Sequence, residues 1–331
     1  MSLSTDAERP TLAPRRAFEF APQVSLLVII GALIAIFTSR QSGFLSSFNL
    51  FGMGRSLAVD VTIGFSQMVV LATGGMNLSV GSIGVCAVMF SGYLMQSLGL
   101  PAPAAFLLAL CLGGALGWLN GFTIVRGGVN AFIVTLASAN LFSGAMLILS
   151  RATPINGLPP EVGAIGRLRL FGLVSPLLLV ALAVGAGLLV FYRYSVAGKQ
   201  MLAAGANARA AMMSGLPVDR SIVLSHVMSG VLAAVAGLMV VARVGAAMPA
   251  VGGEDWLLPS FLGPVLGGTA LAGGFVSVVG TLLGAALVTT IRSGLLVLDI
   301  GNFWLQLFLG LFLLAAVLAQ RYRGVFRSGL T

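Results

Sequence analysis

The chain has very little charge. Only 8% of its 331 residues are charged, with 18 Lys and Arg against 9 Asp and Glu. Hydrophobic residues make up 58%, and the mean hydropathy is +1.05. A soluble domain carries about 25% charged residues because its surface must be hydrated. The scarcity of charge therefore excludes a soluble protein of this length and indicates an integral membrane protein with little material outside the lipid bilayer.

Side chains that could catalyse a reaction or bind a metal are scarce as well. The chain has one His and two Cys, and its carboxylates form no pair or cluster with them, so we predict no catalytic residue, no metal and no cofactor. The only lysine, Lys199, stands in the sequence AGKQ, which lacks the upstream Gly and the hydroxyl residue of a phosphate-binding loop. The protein is therefore not expected to be an enzyme, and any ATP that drives it must be bound by a partner chain.

The net charge of +9 does not indicate a nucleic-acid partner. Seventeen of the 18 basic residues are Arg, and they are scattered at the ends of apolar segments without a basic stripe. Such basic flanks instead orient helices in the lipid bilayer, with the richer side in the cytoplasm.

The apolar runs predict an all-α, polytopic membrane protein. They are mostly about 18–25 residues long, the length a helix needs to cross the hydrocarbon, whereas barrel strands would be about ten residues of alternating polarity. We predict about ten transmembrane helices, several of them with glycine-rich breaks. The segments are 21–38, 56–73, 78–97, 101–125, 131–150, 172–193, 221–245, 257–274, 275–297 and 303–320.

The basic residues predict the orientation. With a cytoplasmic N-terminus, eleven basic residues lie inside and five outside, and ten spans return the basic C-terminus to the cytoplasm. We therefore predict a cytoplasmic tail 1–20, a transmembrane domain 21–320 and a cytoplasmic tail 321–331. The inside set is Arg9, Arg15, Arg16, Arg126, Arg193, Lys199, Arg209, Arg220, Arg321, Arg323 and Arg327; the outside set is Arg40, Arg151, Arg167, Arg169 and Arg243.

The longest predicted cytoplasmic connection, 194–220, contains a short helix with its own start and stop signals. Asn207 is suited to cap the N-terminus, Gly215 to close the helix in the left-handed conformation, and Pro217 to prevent its continuation. A two-turn helix is marginal alone in water and needs something to pack against. The alternatives are a membrane-surface helix and a docking helix for a cytoplasmic partner.

The stretch GGMNLSVGS, residues 74–82, breaks an apolar region with two glycines and three polar residues. Glycines permit a sharp reversal, and polar backbone at membrane depth is tolerated only where it lines water or protein. We expect Asn77 and Ser79 to cap the following helix and to leave its polar end in an aqueous path. A near-copy, GGTALAGG at 267–274, suggests two related halves, and the Gly- and Pro-rich segment 257–274 is either a broken or a re-entrant helix.

Two charges, Asp60 and Arg292, are predicted at membrane depth, where an ionisable side chain is costly and is functional by default. They either pair with each other, face a wet cavity, or couple transport to an ion or proton. Arg55 and Asp299 fall near predicted helix ends, where a side chain can reach water.

Taken together, several stretches resemble the bacterial ABC-importer permeases of the ribose, xylose, arabinose and galactose class, which includes autoinducer-2 permeases. The resemblance runs from about residue 45 to 320. Its motifs are GGMNLSVGS, NAFIVTLASANLFSGAMLILS (130–150), AAGANARAAMMSGLPVDRSIVLSHVMSGVLAAVAGLM (203–239), VLGGTALAGGFVSVVGTLLGAAL (265–287) and FWLQLFLGLFLLAAVL (303–318).

The resemblance implies a permease subunit in the bacterial inner membrane that moves a sugar-like solute inward by alternating access. It implies a dimeric pore made with a second copy or a homologue, a separate ATP-binding-cassette ATPase in the cytoplasm, and a periplasmic solute-binding protein. The polar groups at the breaks, Asn77, Ser79, Ser82 and Thr269, would line the translocation path for a neutral solute. The coupling positions of the family would fall on Gly205, Asn207, Ala210, Ser214 and Gly215.

One departure bears on the path, because the family usually has Asp where this chain has Asn77. The remaining alternative is an ion-coupled secondary transporter that uses Asp60 and Arg292.

Overall fold

The computed structural model describes residues 21–299, 304, 306–311 and 314, and within them the regular secondary structure is helical. Residues 304, 306–311 and 314 are helical, and a short 3-10 helix spans Gly253–Trp256. The α-helices are α1 Ala21–Arg40, α2 Ser47–Leu71, α3 Val80–Gln96, α4 Ala102–Gly127, α5 Ala131–Ser150, α6 Pro160–Arg167, α7 Pro176–Tyr194, α8 Val196–Ala206, α9 Ala208–Met213, α10 Val218–Val244, α11 Leu257–Leu266 and α12 Val278–Val297.

The predicted segments coincide well with these helices. Eight of them match α1–α5, α7, α10 and α12. In the part of the chain that the structure describes, six helices (α1, α4, α5, α7, α10 and α12) are long and apolar enough to cross a membrane. Helix α2 begins nine residues before its predicted segment because Ser46 caps it by accepting a hydrogen bond from Asn49 N at 3.3 Å. The predicted segment 303–320 and both tails lie largely or wholly outside the described residues.

The Gly- and Pro-rich segment 257–274 is helical only over α11. Ten residues span about 15 Å, half of what a helix needs to cross the hydrocarbon. The chain then turns through 267–277 before α12 begins. The segment is therefore not one continuous helix, which agrees with the prediction that it is either broken or re-entrant.

Helix α2 lies at the centre of the bundle. All of its residues from Ala58 to the C-terminal end are buried, because α7, α10, α11 and α12 surround it. A helix that touches protein on all sides tolerates polar side chains that lipid would not, provided that they find partners. This position explains how α2 carries Asp60, Ser66 and Gln67 at depth.

Small residues bring α4 and α10 into close contact. A Cβ atom on Gly113 or on Gly117 would press on the backbone carbonyl of Gly230 or of His226, so only glycine allows this approach. Small residues serve the same purpose in other membrane helix pairs, where backbone proximity replaces the hydrophobic effect as the source of association.

The bundle has two contrasting ends. Helices α2 and α12 run antiparallel, with Gly64 beside Thr281 and Asp60 beside Thr289. The C-terminal end of α2, the turn before α12, and α8–α9 meet at one end, which we name the coupling end. The N-terminal end of α2 and the C-terminal ends of α10 and α12 meet at the other, which we name the arginine end.

Candidate functional site

The two glycine-rich breaks of the sequence meet each other at the coupling end. Gly274 N donates a hydrogen bond to the Ala72 carbonyl oxygen at 3.1 Å. Gly74, Gly273 and Gly274 all have φ between 76° and 93°, the left-handed region that favours glycine. A Cβ atom on Gly273 would lie 2.7 Å from Gly74 N, so the two turns touch through their backbones.

The segment 194–220, which contains the predicted coupling positions, joins this contact through Gly205, near the end of α8. A Cβ atom there would overlap the carbonyl oxygen of Ala72 and would lie 2.6 Å from Gly274 N. Three chain segments thus touch through backbone atoms, without an intervening side chain. We name the set Ala72, Gly74, Gly205, Gly273 and Gly274 the glycine junction.

The short helix predicted in 194–220 is α9, and its predicted signals are confirmed. Asn207 Oδ1 accepts a hydrogen bond from Ala210 N at 3.0 Å, and Gly215 has φ 75°. The sequence did not predict α8, which forms because Ser195 ends α7 and caps the next helix by accepting from Gly198 N at 2.9 Å.

Helix α9 exposes most of its surface. Ala211 is buried against Ala204 and Val218, which anchors the helix on α8 and α10. The other side presents Met213, 84% exposed, and Met212, 56% exposed. Of the predicted coupling residues, Asn207, Ala210, Ser214 and Gly215 are exposed, whereas Gly205 faces the glycine junction. The segment 194–220 therefore has an exposed side on α9 and a contact with the helix breaks at Gly205.

Asn77 and Ser79 are fully buried in a polar network that joins four parts of the chain. Asn77 Nδ2 donates to Ser229 Oγ at 2.8 Å, and Asn77 Oδ1 accepts from both N and Oγ of Ser79 at 3.0 and 2.7 Å. Ser66 Oγ donates to the Ser229 carbonyl at 2.8 Å. Asn120 Nδ2 donates to Ser79 Oγ at 2.8 Å. The first break is thus held by α2, α4 and α10.

The expected capping of α3 is only partly right. Ser79 precedes the helix but makes no side-chain hydrogen bond to its first turn, because its hydroxyl group is already used by Asn77 and Asn120. Asn77 instead fixes the turn itself by accepting from the backbone of Ser79.

The other two candidate path residues are buried too, and they lie apart from this network. Ser82 Oγ donates to the Ala139 carbonyl at 2.8 Å and lies 2.8 Å from Ser143 Oγ, which ties α3 to α5. Thr269 Oγ1 accepts from Ser277 N at 3.1 Å in the second break. This bond joins residues eight positions apart, whereas Ser79 N bonds Asn77 Oδ1 two positions away, so the two breaks are closed differently.

Gln67 is a polar residue that the sequence analysis missed. It is fully buried in α2, and neither its Nε2 nor its Oε1 has a hydrogen-bond partner among the described residues. The Oδ1 atom of Asn120 is likewise buried without a described partner. A lone amide within an apolar segment was the available signal. Unpaired buried amides are rare in folded proteins and call for an explanation.

Asp60 and Arg292 form an ion pair, the first of the alternatives that the sequence left open. Arg292 Nη1 donates to Asp60 Oδ2 at 3.1 Å and to Oδ1 at 3.3 Å, and Thr289 Oγ1 donates to Oδ2 at 3.1 Å. The carboxylate therefore has three described hydrogen bonds. No group of three or more His, Cys, Asp or Glu side chains within the described ranges is arranged to hold a metal ion.

Comparison with known proteins places these features in a family. The family model described as "Branched-chain amino acid transport system / permease component" matches residues 49–317. The ribose import permease RbsC of Bacillus subtilis is 33% identical over 292 residues, which cover 87% of this chain and 89% of that protein. RbsC of Escherichia coli K12 is 30% identical over 94% of this chain and 98% of its own length.

The autoinducer 2 import permease LsrD of Photorhabdus luminescens is also similar, at 29% identity over 82% of this chain and 86% of its own length. No solved structure is a significant match to the chain.

Proposed function

The chain belongs to the family of transport-system permease components, and from this premise we propose that it is the membrane-spanning subunit of an ATP-driven importer. The observation that carries the proposal is the glycine junction. Through Gly205 the segment 194–220 contacts both helix breaks. A displacement of α8 and α9 would therefore be transmitted to both turns, since no flexible side chain lies between them.

We propose that α9 docks in a groove of a separate ATP-binding-cassette ATPase. Its two exposed methionines are adaptable contact residues, and the exposed alanine allows close approach of a partner surface. Asn207, Ala210, Ser214 and Gly215 would form the docked side, while Gly205 passes the motion inward. Hydrolysis of ATP takes place in that partner chain.

The proposed solute is sugar-like. Its support is the similarity to the ribose permeases, which match nearly the whole chain. The hydroxyl and amide groups of Asn77, Ser79, Ser82 and Thr269 would line its path, since such groups can exchange hydrogen bonds with the hydroxyl groups of a sugar. All four are buried in this conformation, so solute would reach them only when the breaks separate. Alternating access supplies such a state.

We propose that the coupling end faces the cytoplasm, with both tails there. The arginine end would then face the periplasm, where a solute-binding protein delivers the solute. A second copy or a homologue would complete a dimeric pore. These permeases of import systems are multi-pass inner-membrane proteins. The proposed orientation rests on the charge asymmetry predicted from the sequence, which counts the three basic residues of each tail together with those of the coupling end.

A co-purification experiment tests the docking. Ala210→Glu adds a charge to the exposed small-residue side of α9, and Gly215→Val strains the left-handed residue that ends it. Ala164→Glu is the matched control, because it places the same charge at an exposed position of α6, near the arginine end. Both α9 variants should insert normally but lose the ATPase and lose uptake, whereas Ala164→Glu should retain the ATPase.

Full ATPase recovery and normal solute-stimulated hydrolysis in both α9 variants would contradict the docking. Uptake that persists in membranes without any ATPase subunit would favour the second candidate, an ion-coupled transporter that uses Asp60 and Arg292. Their direct ion pair supports a structural role instead, because the carboxylate is already neutralised by its partner.

A further inference from the structure

Four arginines converge on one cavity at the arginine end. Arg55 of α2, Arg169 after α6, Arg243 of α10 and Arg292 of α12 line a space of about 270 Å³. Four separate parts of the chain therefore each supply one guanidinium group. We name this cavity the arginine pocket.

Each of three guanidinium groups in the pocket is positioned by neighbours other than a carboxylate. Arg55 donates to the backbone carbonyl of Arg243, and Arg243 Nη1 donates to Ser56 Oγ at 3.3 Å. Arg169 lies over the ring of Phe51, with its Cζ atom 4.7 Å from the ring centroid. These contacts hold the side chains over one space instead of letting them spread into solvent.

The pocket lacks a balancing negative charge. None of its described lining residues is acidic. The neighbouring carboxylate, Asp60, is already bonded to Arg292. Arg55, Arg169 and Arg243 therefore stand close together without a carboxylate among the lining residues, and the Nε atom of Arg55 is buried with no described partner. Like charges held close together repel one another, so the arrangement favours the arrival of an anion.

We propose that the arginine pocket binds a phosphate-class oxyanion. The planar guanidinium fork matches phosphate oxygens, and a tetrahedral ion accepts hydrogen bonds from several directions at once. The volume gives room for several water-sized groups. The pocket shares no lining residue with the proposed path residues Asn77, Ser79, Ser82 and Thr269.

Two sources supply this chemistry, a free phosphate and the headgroup of an anionic phospholipid. The rim of the pocket suits the second, because Phe48 and Leu296 are each 76% exposed beside the arginines. An acyl chain can lie along such apolar side chains while its phosphate group reaches the guanidinium groups.

The test uses the full-length permease with inorganic phosphate and with phosphatidylglycerol as separate probes. In phospholipid-free detergent at low ionic strength, phosphate binding is measured by ³¹P NMR, with chloride at equal ionic strength as the reference. In parallel, native mass spectrometry compares adducts of phosphatidylglycerol and phosphatidylcholine. Phosphate binding without lipid preference identifies a free ion; preference for phosphatidylglycerol identifies the headgroup. Either result supports the proposal.

The variants are Arg169→Gln and Arg243→Gln, whose side chains are exposed, with Arg40→Gln as an exposed arginine outside the pocket. Each pocket variant should weaken binding about tenfold, and Arg169→Lys should retain part of it because the charge stays. Equal loss in Arg40→Gln, or no preference of wild type for either probe over its reference, would overturn the proposal. So would pocket variants that leave phosphate and lipid binding unchanged and lose only the capture of a solute-binding protein.

Discussion

The coupling end and the arginine end are built from opposite kinds of contact. At the coupling end, Gly205, Gly74 and Gly274 bring three backbones together. At the arginine end, long side chains such as Arg55 and Arg243 bridge the helices through guanidinium groups. The coupling end is joined mainly through glycine backbones, and the arginine end through long, charged side chains.

The contrast has a mechanical consequence. Packed backbones cannot slide past each other without separating, because interiors are close-packed and shift between discrete arrangements. The glycine junction therefore suits transmission of a movement. At the arginine end the helices meet through positioned guanidinium groups, so this end suits the binding of a ligand, and the loss of one side chain there does not force the helices apart. Substitutions at the two ends should differ accordingly in their effects on uptake.

The largest effect is expected from Gly205→Val. The new side chain would overlap the Ala72 carbonyl oxygen and the backbone of Gly274, so α8 must move away from both breaks. Overpacking of this kind costs about 1–3 kcal/mol of folding stability. Uptake should be abolished, while the exposed side of α9 should still recover the ATPase. Uptake into proteoliposomes and ATPase co-purification measure the two properties on the same preparation.

Gly187→Val is the control, because Gly187 of α7 is exposed and a Cβ atom placed on it would meet no heavy atom within 4 Å. It should retain uptake. Normal solute-stimulated transport by Gly205→Val would show that the junction is a packing contact without a part in coupling.

The membrane-spanning helices were predictable because the long apolar runs have the length that a helix needs to cross the hydrocarbon. Boundaries such as Asn207 and Gly215 were predictable too, since capping depends on residues within one turn. The predicted segment 172–193 ends within one residue of the end of α7, but α8 was missed because its 11 residues are too few for a membrane span and its cap, Ser195, directly follows α7.

Contacts between distant segments were not predictable. Gly205 meets residues 72 and 274, and the pocket arginines come from four segments between 55 and 292. Because these charges are far apart in the sequence, we expected a translocation path for a neutral solute, without a cluster of charges. In the structure the arginines form such a cluster at the arginine end. The sequence also did not show which hydrogen-bond partner a polar side chain would take, since the Ser79 hydroxyl bonds Asn77 and Asn120 instead of capping α3.

The next largest effect is expected from Asn77→Leu, near the coupling end. Leucine would leave the Ser79 backbone N–H and the Ser229 hydroxyl without their present partner. Unpaired buried groups cost about 1–3 kcal/mol each. Thermal stability and uptake should both fall while the ATPase still binds. Asn140→Leu is the control, because Asn140 is exposed on α5 and its described hydrogen bond goes to the Leu136 carbonyl at 3.0 Å, within the same helix. Unchanged uptake in Asn77→Leu would mean that the first break is only a packing turn.

Gln67→Leu should change stability in the opposite direction. The amide of Gln67 is buried without a described partner, so an apolar side chain of similar size removes a desolvation cost of about 1–3 kcal/mol. The melting temperature should rise. Uptake should fall severalfold, because we expect the amide to find its partners in another conformation of the transport cycle. A thermal-shift assay and uptake on the same protein check both; a lower melting temperature would show that the amide is already satisfied.

The smallest effect is expected at the arginine end, from Asp60→Asn. Asparagine keeps an acceptor for Thr289 and for Arg292 but removes the negative charge of the pair. The Arg292 side chain is 35% exposed, so water compensates part of the lost attraction, and the cost should stay below about 1 kcal/mol. ATP-dependent uptake should persist, with at most a lower yield of folded protein.

The double variant Asp60→Asn, Arg292→Gln should show the same uptake and the same yield of folded protein, since it leaves neither an unpaired carboxylate nor an unpaired guanidinium group. If folded Asp60→Asn protein binds the ATPase but uptake vanishes, the carboxylate carries an ion or proton, and both the ion-coupled alternative and the contrast between the two ends would have to be reconsidered.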